Sequence, residues 1–154
     1  MTITQRNALM AIFIVCLLTI LGAFLFQWVG YAPCPLCLKQ RWAYYAVIPL
    51  SLIFAGISRR NADIARWGLL LIALILIANS IFGIYHAGAE WKFWPGPTTC
   101  GGTVGEGLPS LTNEPVVSCE EAAIRIFGLS LAGWNAVICA ALAAVALRGA
   151  SRKV

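Results

Sequence analysis

Four long apolar stretches, separated by more polar segments, dominate the pattern of hydrophobic and polar positions along this chain. As an α-helix that rises about 1.5 Å per residue, each stretch is long enough to cross a hydrocarbon core roughly 30 Å thick. The four predicted membrane-spanning helices cover residues 8–28, 37–57, 67–85 and 126–147. A short loop over 29–36 and a long loop over 86–125 connect them on one side. The pattern therefore predicts an all-α membrane protein, a four-helix transmembrane bundle formed by one domain over residues 1–154.

The composition excludes a small soluble domain. Of the 154 residues, 60% are hydrophobic and only 11% are charged, whereas soluble domains carry about 25% charged residues. The first stretch could also be a secretory signal peptide, since Arg6 precedes it. It is long for such a peptide and no Ala-x-Ala-like cleavage site follows it, so we interpret it as an uncleaved helix. No acidic residue lies in the core of any predicted span, which argues against a proton-coupled transporter.

The net charge of +5 invites a nucleic-acid-binding interpretation, but the distribution of the charges argues against it. On one side of the four predicted spans lie seven basic residues: Arg6, Arg59, Arg60, Arg66, Arg148, Arg152 and Lys153. On the other side lie four: Lys39, Arg41, Lys92 and Arg125. Basic residues concentrate on the cytoplasmic side of membrane proteins. We therefore predict that both termini are cytoplasmic and that the chain contacts the lipid bilayer and no nucleic acid.

A Cys-x-x-Cys pair, Cys34 and Cys37, lies at the outer end of the second predicted span. Two thiols at this spacing can form a reversible disulfide, and a stabilised thiolate makes such a pair reactive. If the helix begins near Cys37, that sulfur lies at the positive end of the helix dipole, with Arg41 one turn further on the same face. Both features stabilise a thiolate, so we expect the reactive thiolate on Cys37. The alternatives are half of a zinc site and a structural pair.

Two further cysteines, Cys100 and Cys119, lie in the long outer loop, on the same side as the first pair. A disulfide between them would close about twenty residues and would stabilise the protein by about 3 kcal/mol in the chain-entropy model. The two cysteines are either a structural staple or a mobile disulfide that visits partners, because Pro and Gly recur along the loop and favour mobility. Cys16 and Cys139 fall inside predicted spans, and we assign them packing roles only.

His86, the single histidine of the chain, follows the third predicted span. It is either an interfacial residue or a group that delivers a proton or a hydrogen bond to a molecule bound at the outer leaflet. Trp42, Tyr44 and Tyr45 lie near the same interface. They form either an aromatic belt or part of a ring-binding pocket.

Taken in order, these motifs resemble those of the DsbB family of disulfide-bond formation proteins. The resemblance extends from Trp28 to Trp134, nearly the whole chain, although Gln40 stands where some members have an acidic residue. The motifs that carry it are Pro33-Cys34-Pro35-Leu36-Cys37, Gln40-Arg41, Tyr85-His86, Trp94-Pro95-Gly96-Pro97 leading to Cys100, Cys119-Glu120-Glu121, Phe127-Gly128-Leu129-Ser130 and Trp134-Asn135. The resemblance implies a thiol:quinone oxidoreductase of the bacterial inner membrane, with its cysteine-bearing loops in the periplasm.

The resemblance also implies a role for each residue near the second span. Cys34 and Cys37 would be the membrane-proximal pair that passes electrons to a quinone, either ubiquinone or menaquinone. Cys37 would face the quinone ring, and Arg41 would stabilise the thiolate or the reduced quinone. His86 would lie near the quinone, and no metal ion is implied.

By the same resemblance, Cys100 and Cys119 would be a mobile catalytic pair. Cys100 would form a mixed disulfide with a periplasmic thioredoxin-fold thiol oxidase similar to DsbA. The released Cys119 thiolate would then attack the Cys34–Cys37 disulfide, and the reduced pair would give two electrons to the quinone. The relay from DsbA through DsbB to quinone is the known system that keeps the bacterial periplasm oxidising.

Two other interpretations compete with this relay. In the first, all four outer cysteines form a four-thiolate zinc site in a membrane metal-binding protein, although the second pair lacks the usual zinc-knuckle spacing. In the second, the chain is a non-catalytic membrane scaffold whose disulfides are staples. Bound zinc would support the first, and unchanged quinone-dependent thiol oxidation after replacement of the cysteines would support the second.

Overall fold

The computed structural model describes residues 4–97 and 118–151, and within them it contains four long α-helices and one β-hairpin. The helices are α1 (Gln5–Trp28), α2 (Pro35–Ile57), α3 (Ala62–Glu90) and α4 (Leu131–Ala150). The hairpin precedes α4 and pairs strand β1 (Arg125–Ile126) antiparallel with strand β2 (Leu129–Ser130). The predicted mobile loop falls largely on residues 98–117, which lie outside the described ranges together with Cys100.

The helices pack as a closed four-helix bundle. The most extensive contact is between α3 and α4, α2 packs against both α1 and α3, and α1 also touches α4. Small residues allow the backbones of α3 and α4 to approach closely. A Cβ atom added at Gly83 on α3 would lie 3.1 Å from the backbone nitrogen of Ala136 on α4.

A buried polar cluster connects three helices inside this apolar bundle. Tyr44 Oη on α2 donates to Asn135 Oδ1 on α4 at 2.5 Å, and Asn79 Nδ2 on α3 donates to the same oxygen at 3.4 Å. Asn79 Nδ2 also lies 3.3 Å from the Cys139 sulfur. The predicted packing role of Cys139 is therefore incomplete, because its sulfur also accepts hydrogen bonds inside the bundle.

Three of the four helices, α1, α3 and α4, are long and apolar enough to cross a membrane. This finding supports the predicted helical membrane protein. Helix α2 is not among these three, and it carries Lys39, Gln40 and Arg41 in its first two turns. That α2 also crosses the bilayer stays a prediction.

The third and fourth helices do not begin and end where the predicted spans do. Helix α3 continues to Glu90, so His86 belongs to its last turns and not to the outer loop. Helix α4 begins at Leu131 and not near Ile126, because Arg125–Ser130 forms the hairpin. Its turn uses positive φ angles at Phe127 and Gly128, 51° and 84°, which suit a tight hairpin turn. Hydropathy alone does not detect such a short, apolar hairpin.

Candidate functional site

The Cys-x-x-Cys pair lies at the N-terminus of α2, which begins at Pro35, two residues before the predicted start. Cys34 is the N-cap residue, and its sulfur accepts a hydrogen bond from the backbone N–H of Cys37 at 3.2 Å. The two sulfur atoms lie 2.8 Å apart, and both cysteines are free thiols. One of the N–H groups that the first turn leaves unpaired therefore donates to the Cys34 sulfur, as it would to any capping side chain.

Electrostatics favour Cys34, and not Cys37, as the thiolate of the reduced pair. A hydrogen bond from the Cys37 thiol is the largest cause that lowers the pKa of Cys34 below its ordinary 9.0, and His86 adds to it. His86 Nε2 lies 3.5 Å from the Cys34 sulfur. Burial of the sulfur opposes the shift but does not reverse it. The expectation of a Cys37 thiolate is corrected, because the Cys37 thiol, His86 and one backbone N–H all lie against the Cys34 sulfur.

We expect the thiolate absorbance of the reduced protein to persist well below pH 7. A lowered pKa keeps Cys34 ionised as the pH falls through about 8.5, the ordinary pKa of a thiol. The sulfur is protonated only when the pH reaches its own, lower pKa. An ultraviolet pH titration of the reduced protein measures this. Cys34→Ser should remove the low-pH transition, while Cys16→Ala, in the bundle core, should leave it intact. A wild-type protein that titrates only near the ordinary thiol pKa would contradict the assignment.

A cavity of about 360 Å³ lies beside the other cysteine of the pair. Its lining includes Cys37, Arg41 and Tyr44 from α2, together with apolar side chains of α1 and α4. Neither Cys34 nor His86 is among the lining residues. The structure thus brings Cys37 and Arg41 together at one cavity, as their shared helix face predicts, but places His86 against Cys34.

Arg41 is buried and is held mainly by α1. Its Nη1 donates to Gln27 Oε1 at 2.7 Å, and its Nη2 donates to the carbonyl oxygen of Ala23 at 3.4 Å. The guanidinium carbon lies 5.1 Å from the centroid of the Phe24 ring, within the range of a cation–π contact. These contacts orient a permanent positive charge at the cavity wall without neutralising it.

Cys119 lies against the Cys-x-x-Cys pair. It is buried, disulfide-bonded, and packed in one small cluster with Cys34 and Leu36. The next residue, Glu120, accepts hydrogen bonds from the Gly96 backbone N–H at 2.8 Å and from Lys92 at 3.3 Å. The Gly96 bond, and then Lys92, lower the pKa of the Glu120 carboxyl. This carboxylate attaches the Cys119 segment to the turn that follows α3.

A dithiol at a helix N-terminus, packed against a disulfide-bonded cysteine and next to a cavity that holds a guanidinium, is an arrangement for thiol–disulfide exchange. A family model described as disulfide bond formation protein DsbB matches residues 5–148 of the chain. The chain belongs to the DsbB family. The resemblance predicted from the cysteine motifs is thereby confirmed, and membership supports the role of a membrane thiol oxidoreductase.

Relatives of this DsbB-family chain carry matching names. It is 31% identical to disulfide bond formation protein B of Verminephrobacter eiseniae, over 90% of this chain and 81% of that protein. It is 32% identical to disulfide bond formation protein B 1 of Pseudomonas savastanoi pv. phaseolicola, over 84% and 80%. A Rickettsia prowazekii protein is 28% identical over 70% of this chain, but the match spans only 65% of that relative. No solved structure matches the chain significantly.

The DsbB-family site contains two residues that the sequence did not single out, Glu90 and Gln27. Glu90 Oε1 lies 3.8 Å from His86 Nε2, and Gln40, noted from the sequence only as part of a motif, has its Nε2 3.4 Å from His86 Nδ1. Gln27 holds Arg41 from another helix. His86 and Glu90 are four residues apart, a spacing that places both side chains on one face of a helix. The sequence indicates this contact only if α3 is known to extend through both residues.

The same region contains one group of side chains that could hold a metal ion. Ligand atoms of Cys34, Cys37 and His86 all lie within 4.8 Å of one another. The four-thiolate zinc site considered from the sequence is not formed, since Cys119 is disulfide-bonded. That this DsbB-family site functions without a metal stays a prediction.

Proposed function

We propose that this chain is a thiol:quinone oxidoreductase of the bacterial inner membrane that reoxidises a periplasmic, DsbA-like thioredoxin-fold oxidase. The observation that carries the proposal is the position of the cysteine pair. Both cysteines of the pair pack in the cluster that contains the disulfide-bonded Cys119, and Cys37 also lines the cavity. Electrons from a disulfide exchange with Cys119 can therefore pass through a single Cys-x-x-Cys pair and leave at the cavity.

The relay conserves electrons if each step is a thiol–disulfide exchange. A partner thiolate attacks Cys100 and releases Cys119, which attacks Cys34 and releases the Cys37 sulfur. The second partner thiolate completes the partner's disulfide and frees Cys100, which re-forms its disulfide with Cys119 and releases Cys34. The reduced pair then returns to the disulfide state while the acceptor gains two electrons and two protons.

The cavity fits a quinone as the acceptor. Its volume of about 360 Å³ lies in the range of small-molecule sites, and its lining is mainly apolar, as a ring and a lipid tail require. Arg41 supplies positive charge for an oxygen that becomes negative on reduction. Asn135 also lines the cavity, and its buried Nδ2 atom has no hydrogen-bond partner among the described residues. Ubiquinone and menaquinone both suit this chemistry.

The topology belongs to the same proposal. The charge asymmetry supports cytoplasmic termini and a periplasmic position for the pair and for residues 86–125. In that orientation all four catalytic cysteines, Cys34, Cys37, Cys100 and Cys119, lie where disulfides persist. Helix α2 would complete a bundle of four spans, with its basic first turns at the outer interface.

Quinone reduction by the purified protein, supplied with a reduced thioredoxin-fold oxidase, tests the proposal. We expect turnover by the wild type, and we expect Arg41→Gln to raise the KM for quinone about tenfold, since a charge-assisted hydrogen bond contributes about 1.5–3 kcal/mol. Lys39→Gln is the matched control, because it removes an exposed basic residue from the same helix. No quinone reduction by the folded wild type would refute the relay.

Metal analysis of the same preparation separates the relay from metal binding. The three ligand atoms of Cys34, Cys37 and His86 are close enough for zinc, so a stoichiometric zinc ion in protein that retains no quinone reductase activity would favour a metal-binding protein. We expect protein with activity and substoichiometric zinc.

A further inference from the structure

A second cavity, of about 550 Å³, lies at the end of the bundle opposite to the Cys-x-x-Cys pair. The proposed relay does not use it. Its wall is formed by the first turns of α1, the last turns of α2 and the turn that follows α2. Three of its lining residues are arginines, Arg6 on α1 and Arg59 and Arg60 in the turn. Positive charge therefore reaches this one cavity from two separate elements of the chain.

These three guanidinium groups form no ion pair with the described residues. The two ion pairs found there, His86–Glu90 and Lys92–Glu120, lie at the other end of the bundle. In the described part of the chain, Asp63 is the one acidic residue at the arginine end, and it does not line the cavity. All three arginines are exposed. The cavity therefore carries positive charge that no carboxylate of its own wall balances.

The cavity becomes apolar within one to two helical turns of the arginines. On α1, Met10 lies four residues after Arg6, which is about 6 Å along the helix axis. On α2, Leu52 and Ile53 precede Arg59 by about two turns, and they are 46% and 55% exposed. Both helices thus place charge at the end of the bundle and accessible apolar surface next to it. This is the polarity of a membrane interface and the hydrocarbon beneath it.

We propose that this cavity binds one anionic phospholipid, with its phosphate headgroup at the three arginines and an acyl chain along the apolar wall. Arginine can donate two parallel hydrogen bonds to phosphate oxygens, and basic pockets between membrane helices suit anionic headgroups. The volume lies within the range of roughly 300–1,000 Å³ that small-molecule sites occupy. A free phosphate ion would use the arginines alone, whereas a phospholipid uses the arginines and the apolar wall together.

A lipid in this position connects α1 with the end of α2, because its headgroup is held from both. A ligand that binds only the folded state stabilises it by mass action. We therefore expect phosphatidylglycerol to raise the Tm of the delipidated full-length protein in a neutral detergent. Native mass spectrometry should detect one retained lipid per chain. Phosphatidylcholine with the same acyl chains has no net charge and should bind at least about tenfold more weakly, since each basic residue near an anionic headgroup contributes about fivefold in affinity.

Removal of the arginines tests the headgroup contact. Arg59→Gln/Arg60→Gln should weaken phosphatidylglycerol binding about 25-fold, and Arg6→Gln, on the other helix, should weaken it about fivefold. Arg66→Gln is the matched control, because it removes an exposed arginine near the start of α3 that does not line the cavity. It should bind phosphatidylglycerol as the wild type does. Without lipid, all of these variants should unfold at the wild-type Tm, because the arginines are exposed.

Three results would overturn the lipid site. Equal binding of phosphatidylglycerol and phosphatidylcholine by the wild type would show that the arginines do not select a headgroup. A loss of binding in Arg66→Gln as large as in Arg6→Gln would show attraction by the overall charge of this end of the bundle. Inorganic phosphate that raises the Tm as much as phosphatidylglycerol would indicate a site for a soluble anion. None of these measurements uses quinone reduction, so failure of the relay and failure of the lipid site are separate outcomes.

Discussion

Cys37→Ser is expected to abolish quinone-dependent oxidation of a thiol partner and to trap Cys34 in a mixed disulfide with Cys119. Cys34 belongs to the buried cluster that contains Cys119, and Cys37, which packs against that cluster, also lines the cavity. Without the Cys37 sulfur, no disulfide can form within the pair. The Cys34 thiolate then attacks the Cys100–Cys119 disulfide, bonds to Cys119 and releases the Cys100 thiol, and no second cysteine of the pair resolves the product. We expect turnover to fall by at least about 1000-fold, as when a catalytic nucleophile is removed. Quinone-reduction kinetics and mass spectrometry of cysteine-linked peptides measure the two effects.

Two controls sharpen this experiment. Cys16→Ala changes a buried cysteine that lies in the bundle core, away from the pair, and should retain wild-type turnover. Cys34→Ser should also abolish turnover but should not accumulate a disulfide between Cys37 and Cys119. If Cys37→Ser and Cys34→Ser accumulated equal amounts of a disulfide to Cys119, the assignment of Cys34 as the sulfur that Cys119 attacks would be contradicted. Unchanged turnover in both variants would instead favour the scaffold interpretation.

Gly83→Leu is expected to destabilise the bundle by about 3 kcal/mol, at the upper end of the cost of overpacking. A Cβ atom at this position would lie 3.1 Å from both the backbone nitrogen and the Cβ of Ala136, and 3.1 Å from Asn135 Nδ2. The neighbouring atoms belong to the α4 backbone and to a buried polar cluster, so α3 and α4 must separate to admit the side chain. Unfolding in mixed detergent micelles, followed by circular dichroism, measures the free energy of unfolding.

Gly56→Leu is the matched control for this substitution. A Cβ atom at Gly56 would meet no atom within 4 Å, and the residue lies in the last turn of α2 on the exposed surface. The same change of glycine to leucine should therefore leave the stability nearly unchanged. Equal stability of the two variants would show that α3 and α4 do not approach as closely as the structure indicates.

The cysteine motif and its surroundings were predictable to different degrees. The spacing of Cys34, Cys37 and Arg41 on α2 is local, so a shared helix face could be read directly from the sequence, and the cavity does bring Cys37 and Arg41 together. The thiolate assignment depended on tertiary contacts as well as on a helix boundary. The Cys37 thiol and His86 both lie against the Cys34 sulfur. A start at Pro35 also makes Cys34 the N-cap residue, so that its sulfur accepts the Cys37 N–H.

The contacts that define the site join distant parts of the chain. Cys34 and His86 are 52 residues apart, and Arg41 and Gln27 are 14 residues apart on different helices. Neither pair has a sequence signature, because the rotation of one helix against another depends on the packing of small residues across the whole bundle. The contact between His86 and Glu90 likewise depends on α3 continuing four residues beyond His86.

The sequence by itself determined the helical membrane architecture, the family, and the identity of the cysteines, because long apolar runs and short motifs are properties of neighbouring residues. The tertiary structure decided which sulfur is capped, which side of the pair faces the cavity, and which side faces His86 and Glu90. These features arise where four helices meet. The physical reason is that electrostatic stabilisation and burial act through space over a few ångströms, and hydropathy along the chain does not specify which side chains become neighbours at that distance.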